Sequence, residues 1–422
     1  MLNQISAANL MGQAPGSALR AKALARRADR LPQFIGLRGD PGARLDALTV
    51  AVIGVGSVGA TIALSLARLQ VKELRLVDRG VFKPESLLTQ PIDPDSLGQP
   101  KASHVAALCR RFSPTRIVTR DCPLQEVPLT EMLGADLVIV AGDNLTVARD
   151  VGQRCLHLSL PLLSVGVHGD SMTVQCRFHD TTRPSGACPA CLFSASEFRM
   201  LEEERVWSCE GIQKQDPAGA VGSGRSPGPT MSLRSLCGLA GEMGALLATR
   251  WALELGPSLP GTMTELCAYN WQTFVTPLRR NPACPCRHER WQVREVTRPL
   301  AQCRPRELFA AGSTGRPFRG GEASLALREY RWVELGRCAC PEPQAIHRFV
   351  RLGQPAVACC PRCLRPVYPQ PFHSHECVTP FLLGASAGRS LQELGVEDVT
   401  DVIVQAGART TLLLHRSPVT RS

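Results

Sequence analysis

The sequence predicts an α/β protein built on a Rossmann-like parallel sheet covered by helices, followed by a cysteine-rich module and a short α+β tail. Three observations carry that prediction. Apolar runs alternate with amphipathic stretches from about residue 48 to 165, a glycine-rich turn closes the first run, and close-set cysteines punctuate the second half. Residues 48–54 (LTVAVIG) read as a fully buried strand, 60–69 as a helix and 73–78 (ELRLVD) as the next strand. Residues 101–112 read as a helix and 117–120 as a short strand. Then come a buried strand at 135–141 (ADLVIVA), a helix at 144–156, a strand at 162–165 and an antiparallel edge strand at 174–179. Residues 180–232 read as irregular, ending in a Gly-, Pro- and Ser-rich stretch. A long apolar helix is expected at 231–255, where Gly238, Gly241 and Gly244 suggest close packing on one face. Past residue 282 the chain is rich in Arg, Pro and Cys with weak periodicity, and 390–415 return to a short helix and a hairpin.

Composition narrows the class. With 422 residues, 44% hydrophobic and 20% charged, the chain can bury two or three domain cores, and wholesale disorder is excluded. No apolar run reaches the length that spans a bilayer, and residues 1–27 lack the apolar block of a secretory signal. A cytoplasmic setting without a membrane partner is therefore expected, where 18 cysteines stay reduced and close-set pairs hold metal. The net charge of +11 is nearly all arginine: the only lysines are Lys22, Lys72, Lys83, Lys101 and Lys214. Those charges are scattered and aromatics are only 5%, which argues against a nucleic-acid surface. An acidic protein partner or nucleotide phosphates would suit the same positive field.

Gly54-Val-Gly56-Ser-Val-Gly59 follows a strand and opens a helix, so backbone N–H groups and the helix dipole can cradle a phosphate. Asp78 ends the second strand, where a carboxylate can hold ribose hydroxyls. These features alone fit a nicotinamide dehydrogenase as well as an ATP enzyme. Gly98-Gln-Pro-Lys101 and Ala141-Gly-Asp143-Asn144 favour ATP, because a lysine can neutralise phosphate oxygens and an aspartate can hold Mg²⁺. Taken singly, Lys101 also reads as a solvated helix start and Asp143 as a helix N-cap.

The ordered set of GxGxxG, acidic strand end, GQPK, GDN and a CxxC pair resembles the ThiF/MoeB/HesA superfamily, which includes the ubiquitin-activating enzymes. The resemblance covers roughly residues 27–286. It implies adenylation of the C-terminal glycine of a ubiquitin-like or sulfur-carrier protein, with a conjugating enzyme or sulfur acceptor downstream. By position, Gly54, Gly56 and Gly59 would line ATP, Asp78 would bind its ribose, Lys101 its phosphates, and Asp143 would position Mg²⁺; Gln90 and Asn144 fall in the same motifs. Arg30, in a lead-in like the family's R-x-x-R-Q, would reach into a partner subunit's site, which implies a homodimer. Ser86 and Thr89 stand where the family carries Asn and Arg, leaving room for a catalytically degenerate scaffold. A relative that activates a carboxylate on a tRNA nucleoside is the other alternative. The resemblance divides the chain into a helical extension at 1–29, an adenylation domain at 30–290 with a crossover loop around 205–230, a zinc module at 291–380 and a tail at 381–422. The tail resembles short segments of some bacterial relatives, with docking as its expected role.

The cysteines add three expectations. Cys188 and Cys191, joined by Cys284 and Cys286 at the place of the family's second pair, would close a tetrahedral Zn²⁺ site, with His288 as substitute if C-x-C is too tight. Cys338, Cys340, Cys360 and Cys363 have the spacing of a zinc ribbon, with Cys359, Cys377, His373 and His375 as reserve ligands. Cys209, in Trp207-Ser-Cys209-Glu-Gly211, resembles the family cysteine that captures the activated glycine, since a thiolate attacks a mixed anhydride and later leaves readily. A buried loop cysteine is the plain alternative. Cys237 and Cys267 read as core.

Overall fold

A computed structural model describes residues 36–142, 144–202, 206–208, 211–213, 232–313, 323–354 and 356–415. The chain separates into two compact units, Met1–Val127 with Gly134–His288 and Pro128–Leu133 with Glu289–Ser422. Arg30, Asp143 and Cys209 lie outside the described residues, as do residues 1–29 and most of 205–230.

The first unit carries a sheet of eight strands. They are β1 (Thr49–Ile53), β2 (Glu73–Val77), β3 (Arg116–Arg120), β4 (Leu137–Val140), β5 (Leu162–His168) and β6 (Thr173–His179), then, beyond a small hairpin of β7 (Val206–Ser208) and β8 (Gly211–Gln213), β9 (Thr262–Cys267) and β10 (Gln272–Pro277). Their order is β10-β9-β6-β5-β4-β1-β2-β3. β1 to β5 run parallel, and β6, β9 and β10 add on antiparallel. Helix α1 (Pro41–Ala47) leads into β1; the crossovers that parallel strands need are provided in part by α2 (Ser57–Arg68), α3 (Lys101–Arg110) and α4 (Leu145–Leu158), before the long α5 (Arg234–Ala252). Every residue of β1 and β4 is buried, as their unbroken apolar runs require when both faces are covered. Val50, Val52, Ile62, Leu66, Leu74, Leu137, Ile139 and Leu163 form the centre of that core.

Two glycines of α5 are steric necessities. A Cβ at Gly241 would lie 2.5 Å from Thr61 Cβ on α2, and one at Gly244 would lie 2.9 Å from Val165 on β5. Gly238 has no such neighbour. The strand expected at the edge, β6, is interior, because β9 pairs along its free side. The β9–β10 hairpin gave no sequence signal: every residue of β10 is exposed, so no alternation marks it. Within 180–232, the helix Ala195–Glu202 and the β7–β8 hairpin add order to a stretch read as irregular.

The second unit holds two further sheets. One is ordered β11 (Gln292–Glu295), β20 (Arg409–Leu414), β19 (Asp401–Ala406), β12 (Ala323–Ala326), β18 (Cys377–Val378). The other is ordered β14 (Gln344–Arg351), β13 (Tyr330–Arg337), β16 (Pro366–Pro369), β15 (Ala358–Cys359), with β17 (Ser374–His375) also on β13. The helix Pro305–Gly312 packs so closely that a Cβ at Gly312 would lie 2.4 Å from Val404 Cγ1. The expected C-terminal hairpin is β19–β20, whereas residues 390–394 form a turn held by Ser390 and Glu393 rather than a helix. Val402, Val404, Leu412 and Leu413 are fully buried, so the tail is core of this unit and cannot be deleted as a separable docking segment.

Candidate functional site

The site begins where β1 ends. Gly54 adopts φ +85°, a conformation that favours glycine, and its N–H donates to the Val77 carbonyl. A Cβ on Gly54 would sit 3.1 Å from the Gly142 nitrogen, and one on Gly59 only 1.9 Å from the Gly54 carbonyl oxygen. Gly56 meets nothing within 4 Å. The three glycines therefore divide their work: Gly54 turns the chain against the segment after β4, Gly59 seats α2 on the turn, and Gly56 leaves an open backbone face. No side chain caps the start of α2 at Gly56, so that end remains available to an anion.

Asp78, just past β2, braces this turn. Its Oδ2 accepts from Val55 N–H at 2.6 Å and its Oδ1 from Gly80 N–H at 2.7 Å. Each oxygen keeps a second lone pair with which a ribose hydroxyl can bond. Lys101 opens α3 with its N–H donating to the Gly80 carbonyl, and its Cδ and Cε lie 3.5 Å from the space a Gly80 Cβ would fill. The ammonium-bearing arm thus runs past Gly80 beside Asp78. Residues 81–100 leave and return at this edge, pinned by the exchange of backbone bonds between Phe82, Gly98 and Gln99.

On the other side of β1, Ala141 N–H donates to Ile53 and carries the chain past Gly54. Asn144 is the N-cap of α4, its Oδ1 accepting from Thr146 and Val147 N–H at 2.8 and 3.2 Å. The amide oxygen of this motif residue is thus occupied in capping its own helix. Gln90 differs: its Oε1 is buried without a hydrogen-bond partner, an atom that a bound ligand could satisfy. Ser86 is buried and accepts from Lys83 N–H, so its hydroxyl serves the loop's own turn. Gly54, Gly56, Gly59, Asp78 and Lys101 come together at the carboxyl edge of β1, β2 and β4, with Ala141 and Gly142 against Gly54. In this sheet order that edge is the point where strand order reverses, the usual place for a ligand crevice.

The first cysteine group is held by a 3₁₀ turn (Pro189–Leu192) packed on α4, where a Cβ at Gly152 would strike Pro189 at 2.6 Å. Cys188 Sγ lies 3.8 Å from Cys191 Sγ and 3.6 Å from Cys284 Sγ, and Cys191 Sγ lies 3.4 Å from His288 Nε2. All four donor atoms are within 4.8 Å of one another. A tetrahedron with metal–sulfur bonds of about 2.3 Å has sulfur–sulfur edges of about 3.8 Å, so the Cys188–Cys191 and Cys188–Cys284 separations match those that Zn²⁺ would set. The other ring nitrogen of His288 faces the Pro184 carbonyl at 3.1 Å, the contact that fixes a ligand's tautomer. His288, the substitute, is therefore the residue that joins Cys188, Cys191 and Cys284 in the converging group. Cys286 is buried in the same cluster as Cys188 and Cys191 and its side chain reaches Cys188, but it is not one of the four residues whose donor atoms all converge. His179 ties this loop to the sheet: one ring nitrogen faces Ser164 Oγ at 3.0 Å, the other the Ala187 carbonyl at 3.1 Å. Its complete burial pushes its pKa down to about 3, keeping it neutral.

In the second unit, Cys338, Cys340, Cys360 and Cys363 place their sulfurs within 4.8 Å of one another. Every described cysteine is free of disulfides. Cys109 and Cys176 are pushed up to about 12 by burial, Cys155 higher still, and Cys237 is raised for the same reason; all four read as inert core. Cys267, read as core, is only half-buried on β9.

With this geometry in hand, comparison with known proteins identifies the relatives. Residues 28–286 match the ThiF family, and the chain belongs to it. The SAMP-activating enzyme E1 of Haloferax volcanii is 28% identical over 245 residues, covering 57% of this chain and 81% of that protein. The adenylyltransferase and sulfurtransferase MOCS3-2 of Zea mays is 30% identical over 282 residues, covering 65% of this chain but only 52% of the maize protein. Among solved structures, Escherichia coli MccB with MccA aligns over 59% of this chain and 69% of that one, at 14% identity and a TM-score of 0.45. Among the described residues, no helix is long and apolar enough to cross a membrane.

Proposed function

We propose that this protein uses MgATP to adenylate the C-terminal glycine of a ubiquitin-like or sulfur-carrier protein and then takes the acyl group onto Cys209. One observation carries the reading: the glycine turn leaves an open backbone face at Gly56, with Lys101 on one side and Ala141 and Gly142 on the other. A nicotinamide would have no use for that lysine, whereas a triphosphate does. The matched relatives, named as adenylyltransferases and an E1, support the same chemistry.

In this reading Asp78 holds the ribose and Gln90 offers its unsatisfied Oε1. Lys101 neutralises phosphate oxygens, and Asp143 holds Mg²⁺. The carrier's terminal carboxylate attacks the α-phosphorus, and pyrophosphate leaves with the electron pair of the broken P–O bond. Arg30 of a second copy in a homodimer supports the charge that builds there. The Cys209 thiolate then attacks the acyl carbon, forming a C–S bond as AMP departs with the oxygen of the anhydride. A conjugating enzyme or a sulfur acceptor receives the product. The carrier's folded body would dock along the outer edge of β10, which pairs with no further strand among the described residues, where Val275 is 68% exposed and Trp271 in the preceding turn 70%. At the first cysteine group, Zn²⁺ would be held by Cys188, Cys191, Cys284 and His288, keeping the 3₁₀ turn on α4. The setting is cytoplasmic.

A non-catalytic scaffold is the second reading, favoured by Ser86, whose hydroxyl is taken up by its own loop where an asparagine is expected. ATP–pyrophosphate exchange with candidate carriers separates the two. The proposal expects exchange, followed by a thiol-sensitive adduct lost in Cys209→Ala; a scaffold gives neither.

A further inference from the structure

We infer that the second unit, outside the residues matched to the family, binds its own Zn²⁺ through Cys338, Cys340, Cys360 and Cys363, with Gln344 as the positioning residue that clamps the two halves of the centre. The four sulfurs converge from two separate loops, and the Cys340–Cys360 separation of 3.8 Å is the edge of a thiolate tetrahedron around zinc. It is far too long for a disulfide.

The surrounding donors are arranged for thiolates. Cys340 N–H points to Cys338 Sγ at 3.4 Å, while Arg362 and Cys363 N–H point to Cys360 Sγ at 3.4 and 3.5 Å. Gln344, at the start of β14, reaches across: its Nε2 donates to Cys360 Sγ at 2.6 Å and lies 3.5 Å from Cys338 Sγ. Four thiolates around Zn²⁺ leave two net negative charges, and these N–H dipoles are what offsets them in a half-buried place.

The local core explains why an ion is needed. Only Val333, Val350, Val357, Cys360 and Val367 are buried in this cluster, and the cysteine sulfurs form part of its wall. So small an apolar group does not hold irregular loops without a staple. A Cβ at Gly336 would lie 2.5 Å from Val367 Cγ1, so β13 and β16 close tightly beneath the sulfurs. The reserve ligands go elsewhere: Cys359 and Cys377 are exposed, and His375 and His373 face Glu334 at 3.1 and 3.8 Å. With all four corners supplied by protein the centre is closed, hence structural, and a tetrahedral four-thiolate set is the arrangement zinc favours.

The test is thiol footprinting and metal analysis on the full chain purified without chelator. Cys338, Cys340, Cys360 and Cys363 should resist alkylation at least tenfold longer than Cys359 and Cys377, and lose that protection when a strong chelator is added. Because mass spectrometry reads each cysteine separately, the result does not depend on the state of the first centre or on adenylation. Zinc should fall by about one per chain in Cys360→Ser, while Gln344→Ala should keep its zinc but release one equivalent to chelator several-fold faster. Labelling of the four at the rate of Cys359, disulfides among them, iron in place of zinc, or a release rate unchanged in Gln344→Ala would overturn the assignment.

Discussion

At the glycine turn, position is set by exclusion: atoms stand so close that Gly54 and Gly59 tolerate no side chain, and only Gly56 faces open space. At the cysteine ribbon, position is set by donors: four sulfurs and the N–H groups behind them surround a space that an ion can fill. The turn rests on a large shared core, including Val50, Val52 and Ile139, and so is rigid before any ligand arrives. The ribbon has five buried side chains of its own. One region therefore loses function when something is added, the other when something is removed.

The largest effect expected from this contrast follows metal removal. Structural zinc sites carry binding free energies on the order of 10 kcal/mol. Stripping the ribbon should abolish hydrogen-exchange protection in β13–β16 while β1, β2 and β4 keep theirs; equal loss in both would erase the distinction. Next comes Gly59→Ala. With Cβ placed 1.9 Å from a backbone oxygen, α2 must shift, and a loss of about 3 kcal/mol or more is expected in denaturant unfolding. A variant as stable as its parent would show that the turn is not sterically closed.

Acid sharpens the comparison from the side of the first cysteine group. His179 is neutral when buried, with a pKa of about 3 against 6.5 for the free side chain, so the unfolded chain takes up the proton first. Stability of the first unit should fall by about 2 kcal/mol between pH 8 and pH 5 through this group alone. His179→Gln should remove that share of the slope, leaving the part due to His157, whose pKa burial holds at about 4; an unchanged slope would assign the effect elsewhere. The smallest effect on folding is expected at Gly56. Gly56→Ala should alter stability by no more than about 0.5 kcal/mol, since a Cβ there meets nothing within 4 Å, yet weaken ATP binding at least tenfold. Unchanged nucleotide affinity would move the phosphate away from this turn.

Legibility in the sequence divides along the same line. β1 and β4 were readable because burial on both faces demands unbroken apolar runs. The glycine turn and the ribbon cysteines were readable because spacing alone defines them. β9 and β10 were not, since an exposed outer hairpin carries no periodic signal. The second unit hid its sheets for a related reason: β12, β15, β17 and β18 have only two to four residues, and most of β14 is exposed or half-buried. His288 joins the converging group, which Cys286 does not, because three-dimensional proximity, not cysteine count, decides membership. Gln90 was placed by motif, but only the structure reveals its unpaired buried oxygen.

The central claim is that a triphosphate is cleaved at the glycine turn with the help of Lys101, on behalf of a carrier's terminal carboxylate. Carrier-dependent ATP–pyrophosphate exchange measures this directly, without requiring Cys209. The account predicts exchange that needs an intact terminal glycine on the carrier and falls at least a hundredfold in Lys101→Ala, a variant whose folding and zinc content are unchanged. Exchange that persists in Lys101→Ala, or that ignores the carrier's terminus, would contradict it.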